Sequence, residues 1–148
     1  MIRRLAVAAG LVALALTLAG CEPTTPIPTP SPSALTGTWH HGSDVLTLDS
    51  DGTFSLSGVP LGVVEQKAVA LGGGPSGPNE SVTGTWSVGS GGTDAGGAPG
   101  VQLDFVSPRK IGFDYGLTLI VSDDYPFKLY VFLGRPDSNI RYSFTRTS

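Results

Sequence analysis

The sequence predicts an all-β fold, a small antiparallel up-and-down barrel of seven to eight strands, preceded by a separate N-terminal segment. Three observations predict it. After Leu35, apolar residues recur at every second position, the period of strands with one buried face. The 21 glycines and 12 prolines gather largely in clusters between those runs, where turns belong. A single cysteine allows no intramolecular disulfide, so an apolar core must supply the stability.

The first element is not part of the fold. Met1-Ile2-Arg3-Arg4 is a short cationic start, and Leu5 to Leu18 is an apolar stretch broken only by Gly10 and Thr17. As a helix it rises about 21 Å, short of the roughly 30 Å hydrocarbon core, so it reads as the apolar region of a signal peptide. Leu18-Ala19-Gly20-Cys21 follows. These four residues resemble the lipobox of bacterial lipoproteins, in which the peptidase needs small residues before the cut and the cysteine thiol receives a diacylglyceryl group. The resemblance implies cleavage after residue 20, lipidation of Cys21 with palmitate-like acyl chains and display on the outer face of the cell membrane. Two acyl chains meet the requirement for stable anchoring.

Residues 21–34 form the next element, the lipidated cysteine and a tether. Pro23, Pro26, Pro28, Pro30 and Pro32 exclude helix and ladder pairing. Polyproline II at about 3.1 Å per residue gives a stalk of roughly 40 Å at most. A spacer is a better account of this composition than a proline-rich ligand or an O-glycosylated stalk.

The barrel domain is expected over 35–148. Leu46 and Leu48 share one face, as do Phe54 and Leu56; Val82, Gly84, Trp86 and Val88 follow, then Val101, Leu103 and Phe105. Ile111, Phe113, Tyr115, Leu117, Leu119 and Val121 make the longest run, Leu129 to Leu133 is apolar on both faces, and Ile140, Tyr142 and Phe144 close the set. The first hairpin can be specified. A two-residue loop at Asp51-Gly52 would put Leu48 opposite Ser55, whereas a three-residue loop, Ser50-Asp51-Gly52, matches Leu48 to Phe54 and Leu46 to Leu56. The expected turn is type I, with Gly52 left-handed in a G1 bulge. Residues 71–78 and 89–100 are too glycine-rich for strands and are expected as loops, and Val63 to Ala70 reads as either strand or short helix.

Thr36–Ser43 and Thr83–Ser90 agree at six of eight positions, which two similar strand starts are enough to explain. Gly37-Thr38-Trp39 in the first strand, with Arg146 in the last, resembles the signature of the lipocalin and fatty-acid-binding (calycin) superfamily. That resemblance implies that Trp39 plugs one end of the barrel while Arg146 packs across it. Leu35, Gly37 and Trp39 are expected on one strand face, and Ile140, Tyr142, Phe144 and Arg146 on another. Over its mature length, with Gly-Thr-Trp repeated at Trp39 and Trp86, the chain also resembles small uncharacterised actinobacterial lipoproteins, and that likeness implies no activity.

Composition excludes several functions. Without Arg3 and Arg4 the nine basic residues become seven against twelve acids, a net charge of −5. Nucleic-acid binding needs clustered cations, and Arg109-Lys110 is the nearest approach. His40 and His41 are neighbours in a strand and face opposite ways, so they do not make a metal site and are expected exposed. No nucleophile elbow or Ser-x-x-Lys motif occurs, and Cys21 is consumed by lipid. Asp123, Asp124 and Asp137 fall in expected turns, and Asp49 and Asp51 lack the remaining ligands of a calcium loop. The expectation is a monomeric, non-enzymatic lipoprotein without cofactor or metal. Its domain would bind an envelope protein or surface polymer; the alternative is a carrier of an apolar small molecule. Clustered acids in a cleft would point instead to a hydrolase.

Overall fold

The computed structural model describes residues 28–65, 77–92, 95–106, 114–123, 125–134, 137 and 139–146. The leader, Cys21, the Arg109-Lys110 pair, Ile111, Phe113, Asp124, residues 66–70 of the ambiguous stretch and 71–76 of the first glycine cluster lie outside them. The elements are α1 (Pro32–Leu35), β1 (Gly37–His41), β2 (Asp44–Leu48), β3 (Thr53–Pro60), α2 (Leu61–Val64), β4 (Asn79–Ser90), β5 (Pro99–Val106), β6 (Asp114–Val121), β7 (Lys128–Phe132) and β8 (Arg141–Arg146).

Each strand pairs antiparallel with the next, and β8 returns to β1 through Trp39↔Arg146 and His40↔Thr145, closing an eight-stranded up-and-down barrel. Closure pairs the first strand with the last, although among the described residues the β1–β8 and β6–β7 seams register at two positions each. The register follows from alternation. Leu46, Leu48, Phe54 and Leu56 are all buried, while Ser55 and Ser57 on either side of Leu56 are exposed. The predicted three-residue hairpin is present, with Leu48 opposite Phe54 and Leu46 opposite Leu56. Gly52 N–H donates to Asp49 O at 3.1 Å, Asp49 N–H donates to Thr53 O at 2.9 Å, and Gly52 has φ +85°. A residue with a Cβ would be strained in that bulge. The Asp51 carboxylate accepts from the N–H and hydroxyl of Thr53, at 2.9 and 2.6 Å, and these bonds hold it below the usual carboxylate range.

The core is one cluster of side chains contributed by all eight strands, with Trp39, Leu103, Leu119, Leu129 and Phe144 at 1% exposure or less. β7 resolves the two-sided apolar run at Leu129 to Leu133. Leu129, Val131 and Leu133 point inward, and Tyr130 and Phe132 are half-buried on the outer wall.

Several expectations are corrected. Leu35 is buried, but in α1 rather than in the first strand, and α1 begins at Pro32, inside the stretch whose composition reads as tether. Pro32 occupies the first turn of a helix, where its missing N–H is no loss. The second glycine cluster is not all loop, because β4 runs through Ser90 and β5 starts at Pro99. A Cβ at Gly100 would lie 2.6 Å from Gly91 Cα, so glycine here lets two backbones approach closely. Ile140 lies before β8, 46% exposed, because the chain turns at Asn139 (φ +53°) and Leu133 N–H donates to Ile140 O at 2.8 Å. The ambiguous segment opens as helix, with α2 burying Val63 and Val64.

Candidate functional site

The up-and-down order sorts the connections into two ends. One end holds α1, the β2–β3 turn, the β6–β7 turn and the close of β8; the other holds the β1–β2 turn, α2 and the start of β8. Gly37, Trp39, Trp86 and Arg146 all belong to the first end. The Trp39 indole N–H donates to Leu35 O at 2.9 Å, tying α1 beneath the barrel. Arg146 lies over the Trp39 ring at 4.9 Å from its centroid and donates from Nη2 to Thr36 O. Gly37 has φ +130°, and a Cβ there would sit 3.1 Å from Arg146 Nη2, so the glycine clears the path of the guanidinium. Trp86 repeats the arrangement on β4. Its indole N–H donates to Asp49 O at 2.8 Å and its backbone N–H to Gly52 O at 2.8 Å, fastening the first hairpin turn. These four residues close a barrel end. Trp39 and Arg146 also line a mainly apolar cleft of about 230 Å³ with Ala34, Tyr125, Pro126 and Phe127.

At the opposite end the interior turns polar. Asp44 opens β2 on the same face as Leu46 and Leu48, only 9% exposed, and is the charged residue buried among the described ones. An isolated carboxylate there would be costly. Tyr142, 2% exposed, donates its hydroxyl to Asp44 Oδ2, and Ser43 donates to Oδ1 at 3.2 Å. Burial, then the bond to Asp44 and its charge, push the Tyr142 hydroxyl far above the usual tyrosine range. Space for the carboxylate comes from the irregularity in β3 between Leu56 and Val59, where Gly58 has φ +79° and an added Cβ would meet Asp44 Oδ1 at 3.1 Å.

His41 completes the group. Its ring stacks on Tyr142 at 3.9 Å between centroids, and Nδ1 lies 2.8 Å from Ser143 O. A carbonyl oxygen only accepts, so Nδ1 is the donor of this bond. The ring takes over as donor to β8 where the β1–β8 ladder stops at His40↔Thr145. The expected exposure of both histidines is thus corrected: His40 and His41 are half-buried, and His41 shares the inward face of Trp39 two residues before it. Parity could have revealed it, as it could Asp44, which alternates with Leu46 and Leu48. What parity could not reveal was that these residues meet Tyr142, about a hundred positions away.

On the outer wall, Ala95 and Ala98 of the β4–β5 connection overhang β6, β7 and β8, forming a cleft of about 380 Å³ lined also by Lys128, Tyr130, Arg141 and Ser143. Asp123 lies in this lining, and Asp123 and Asp137 are exposed; Asp123 and Asp137 do not join Asp44. Among the described residues no three His, Cys, Asp or Glu side chains gather as metal ligands, and no helix is long and apolar enough to cross a membrane. The Asp44 group can hold protons and orient a donor, but its hydroxyl stays protonated and its carboxylate is already engaged. It serves to finish the polar end of an otherwise apolar interior. No family model, curated protein or solved structure matches this chain significantly.

Proposed function

We propose that the chain is an exported lipoprotein, cleaved before Cys21 and anchored through it to the outer face of the cell membrane, whose barrel is a non-enzymatic binding domain. The observation that carries the binding reading is the outer cleft beside an aromatic core. Among the described residues Trp39, Phe54, Trp86, Phe105 and Phe144 belong to a single buried cluster, while the mainly polar cleft lies on the outer wall, which favours recognition at the outer surface. The calycin-like closure by Trp39 and Arg146 favours a second reading, carriage of an apolar molecule inside the barrel.

Pro28, Thr29 and Pro30 lie along Pro99, Val121 and Phe127, at the barrel end that also carries α1. An anchor at Cys21 would therefore put the Trp39 end toward the membrane and the Asp44 end outward.

Labelling cells with radioactive palmitate tests the anchor: the wild-type chain takes up label and Cys21→Ala does not. Equal labelling and membrane retention of the variant would defeat it. Binding is tested by co-sedimentation of the full chain with purified cell-wall polymer, and carriage by titration with a fluorescent fatty acid. Retention on the polymer without saturable fatty-acid binding is expected; the reverse pattern would select the carrier.

A further inference from the structure

The outer cleft holds two cations that the packing of the barrel does not need. Arg141 and Lys128 project outward from β8 and β7, both exposed. Across the β7–β8 pair Phe132 faces Arg141 and Tyr130 faces Ser143, which sets the Arg141 side chain beside two aromatic rings. Its guanidinium carbon lies 4.5 Å from the Tyr130 centroid and 5.2 Å from that of Phe132. The two rings, at 86° to one another, hold the guanidinium against the outer wall. The N–H donors lie around its edge, in the fork geometry that matches a carboxylate or phosphate.

Three further features make the cleft a site rather than a charged surface. Its volume, about 380 Å³, falls in the range of small-molecule sites. Its lining is mainly polar, with hydroxyl-bearing Ser122, Tyr130 and Ser143 beside small Ala95 and Ala98, which suits a polyhydroxylated ligand over an apolar one. Its floor is also braced: Lys128 N–H donates to Ser122 Oγ at 2.8 Å, and His41 holds Ser143 O from the barrel interior. Preorganised donors lose less freedom on binding. The mature chain is acidic, so an anion is attracted here by a local pair of cations and not by the overall field.

We infer that this cleft is the ligand site of the binding domain proposed above, and that it takes a carboxylate- or phosphate-bearing saccharide. Arg141 grips the oxyanion through its edge, Lys128 adds a second positive charge, and the serine-lined floor receives the sugar hydroxyls. Asp123, also in the lining, disfavours ligands with dense negative charge and points to one anionic group per bound unit.

Calorimetric titration of the full chain in non-ionic detergent tests the inference with three probes: digalacturonate for the carboxylate, glucose 6-phosphate for the phosphate, and neutral cellobiose. At least one acidic probe should bind, about tenfold or more tighter than cellobiose, and more weakly as salt rises. Arg141→Gln should weaken it by about tenfold or more, Arg141→Lys by less, and Lys128→Gln by about threefold. An unchanged melting temperature shows that each variant is folded. Whichever acidic probe binds tells carboxylate from phosphate recognition. Failure of both acidic probes overturns the site, as does acidic-saccharide binding that survives Arg141→Gln and Lys128→Gln. In the second case the binding-domain reading stands, since polymer co-sedimentation tests it independently.

Discussion

The two ends of the barrel are closed by different chemistry. Around Trp39 the seal is apolar, and its polar atoms are satisfied by backbone: both indole N–H groups reach carbonyls, at Leu35 and Asp49, and Arg146 reaches Thr36. Around Asp44 the seal is polar and made almost wholly of side chains, with Tyr142 and Ser43 on the carboxylate and His41 stacked alongside. Backbone acceptors cannot change protonation, whereas a carboxylate–phenol pair can. The Trp39 end should therefore depend on volume, and the Asp44 end on hydrogen bonding and pH.

Trp39→Ala is the strongest way to break this comparison. It removes the largest buried side chain and frees α1, and should cost about 3–5 kcal/mol in denaturant unfolding. An unchanged melting curve would mean that α1 and Trp39 do not close the barrel. Tyr142→Phe keeps the ring stacked on His41 but removes the donor to Asp44. A buried carboxylate left short of a partner should cost about 1–3 kcal/mol.

The same residue gives the ends different pH responses. The folded-state pKa of Tyr142 is raised above its unfolded value of about 10, so its stabilising contribution is complete below about pH 10 and is lost as pH climbs toward the folded value. Thermal melts should show stability falling above about pH 10, with a shallower fall in Tyr142→Phe; parallel curves for the two proteins would remove Tyr142 from the account. Arg146→Gln is the smallest expected effect, about 0.5–1 kcal/mol for a cation–π contact at an exposed position, read with the change in tryptophan fluorescence.

The two Gly-Thr-Trp copies show how far local sequence reaches. Both tryptophans point inward and tie a carbonyl at the same end of the barrel, which their identical spacing suggests. Their glycines have unrelated reasons. Gly37 has a positive φ and makes way for Arg146, whereas a Cβ at Gly84 would fall 2.0 Å from Asp104 O on the neighbouring strand. The first hairpin was readable to the residue because its register depends on parity and loop length alone. Strand limits at the Gly89–Gly100 cluster were not, because glycine there reports the close approach of Gly91 and Gly100, a tertiary fact that looks like loop composition.

By itself the sequence determined the strand class, most of the inward faces and the hairpin at Gly52, which follow from a period of two and from turn chemistry within a few residues, whereas the Trp39 and Arg146 closure was implied by the resemblance to the calycin signature. Tertiary structure decided what those faces meet. Asp44, Tyr142 and His41 became one group, and Arg141 was laid across Tyr130 and Phe132, only because β1, β2, β7 and β8 are brought together when the barrel closes. Such meetings depend on register across the closing seam, which no local pattern in the chain encodes.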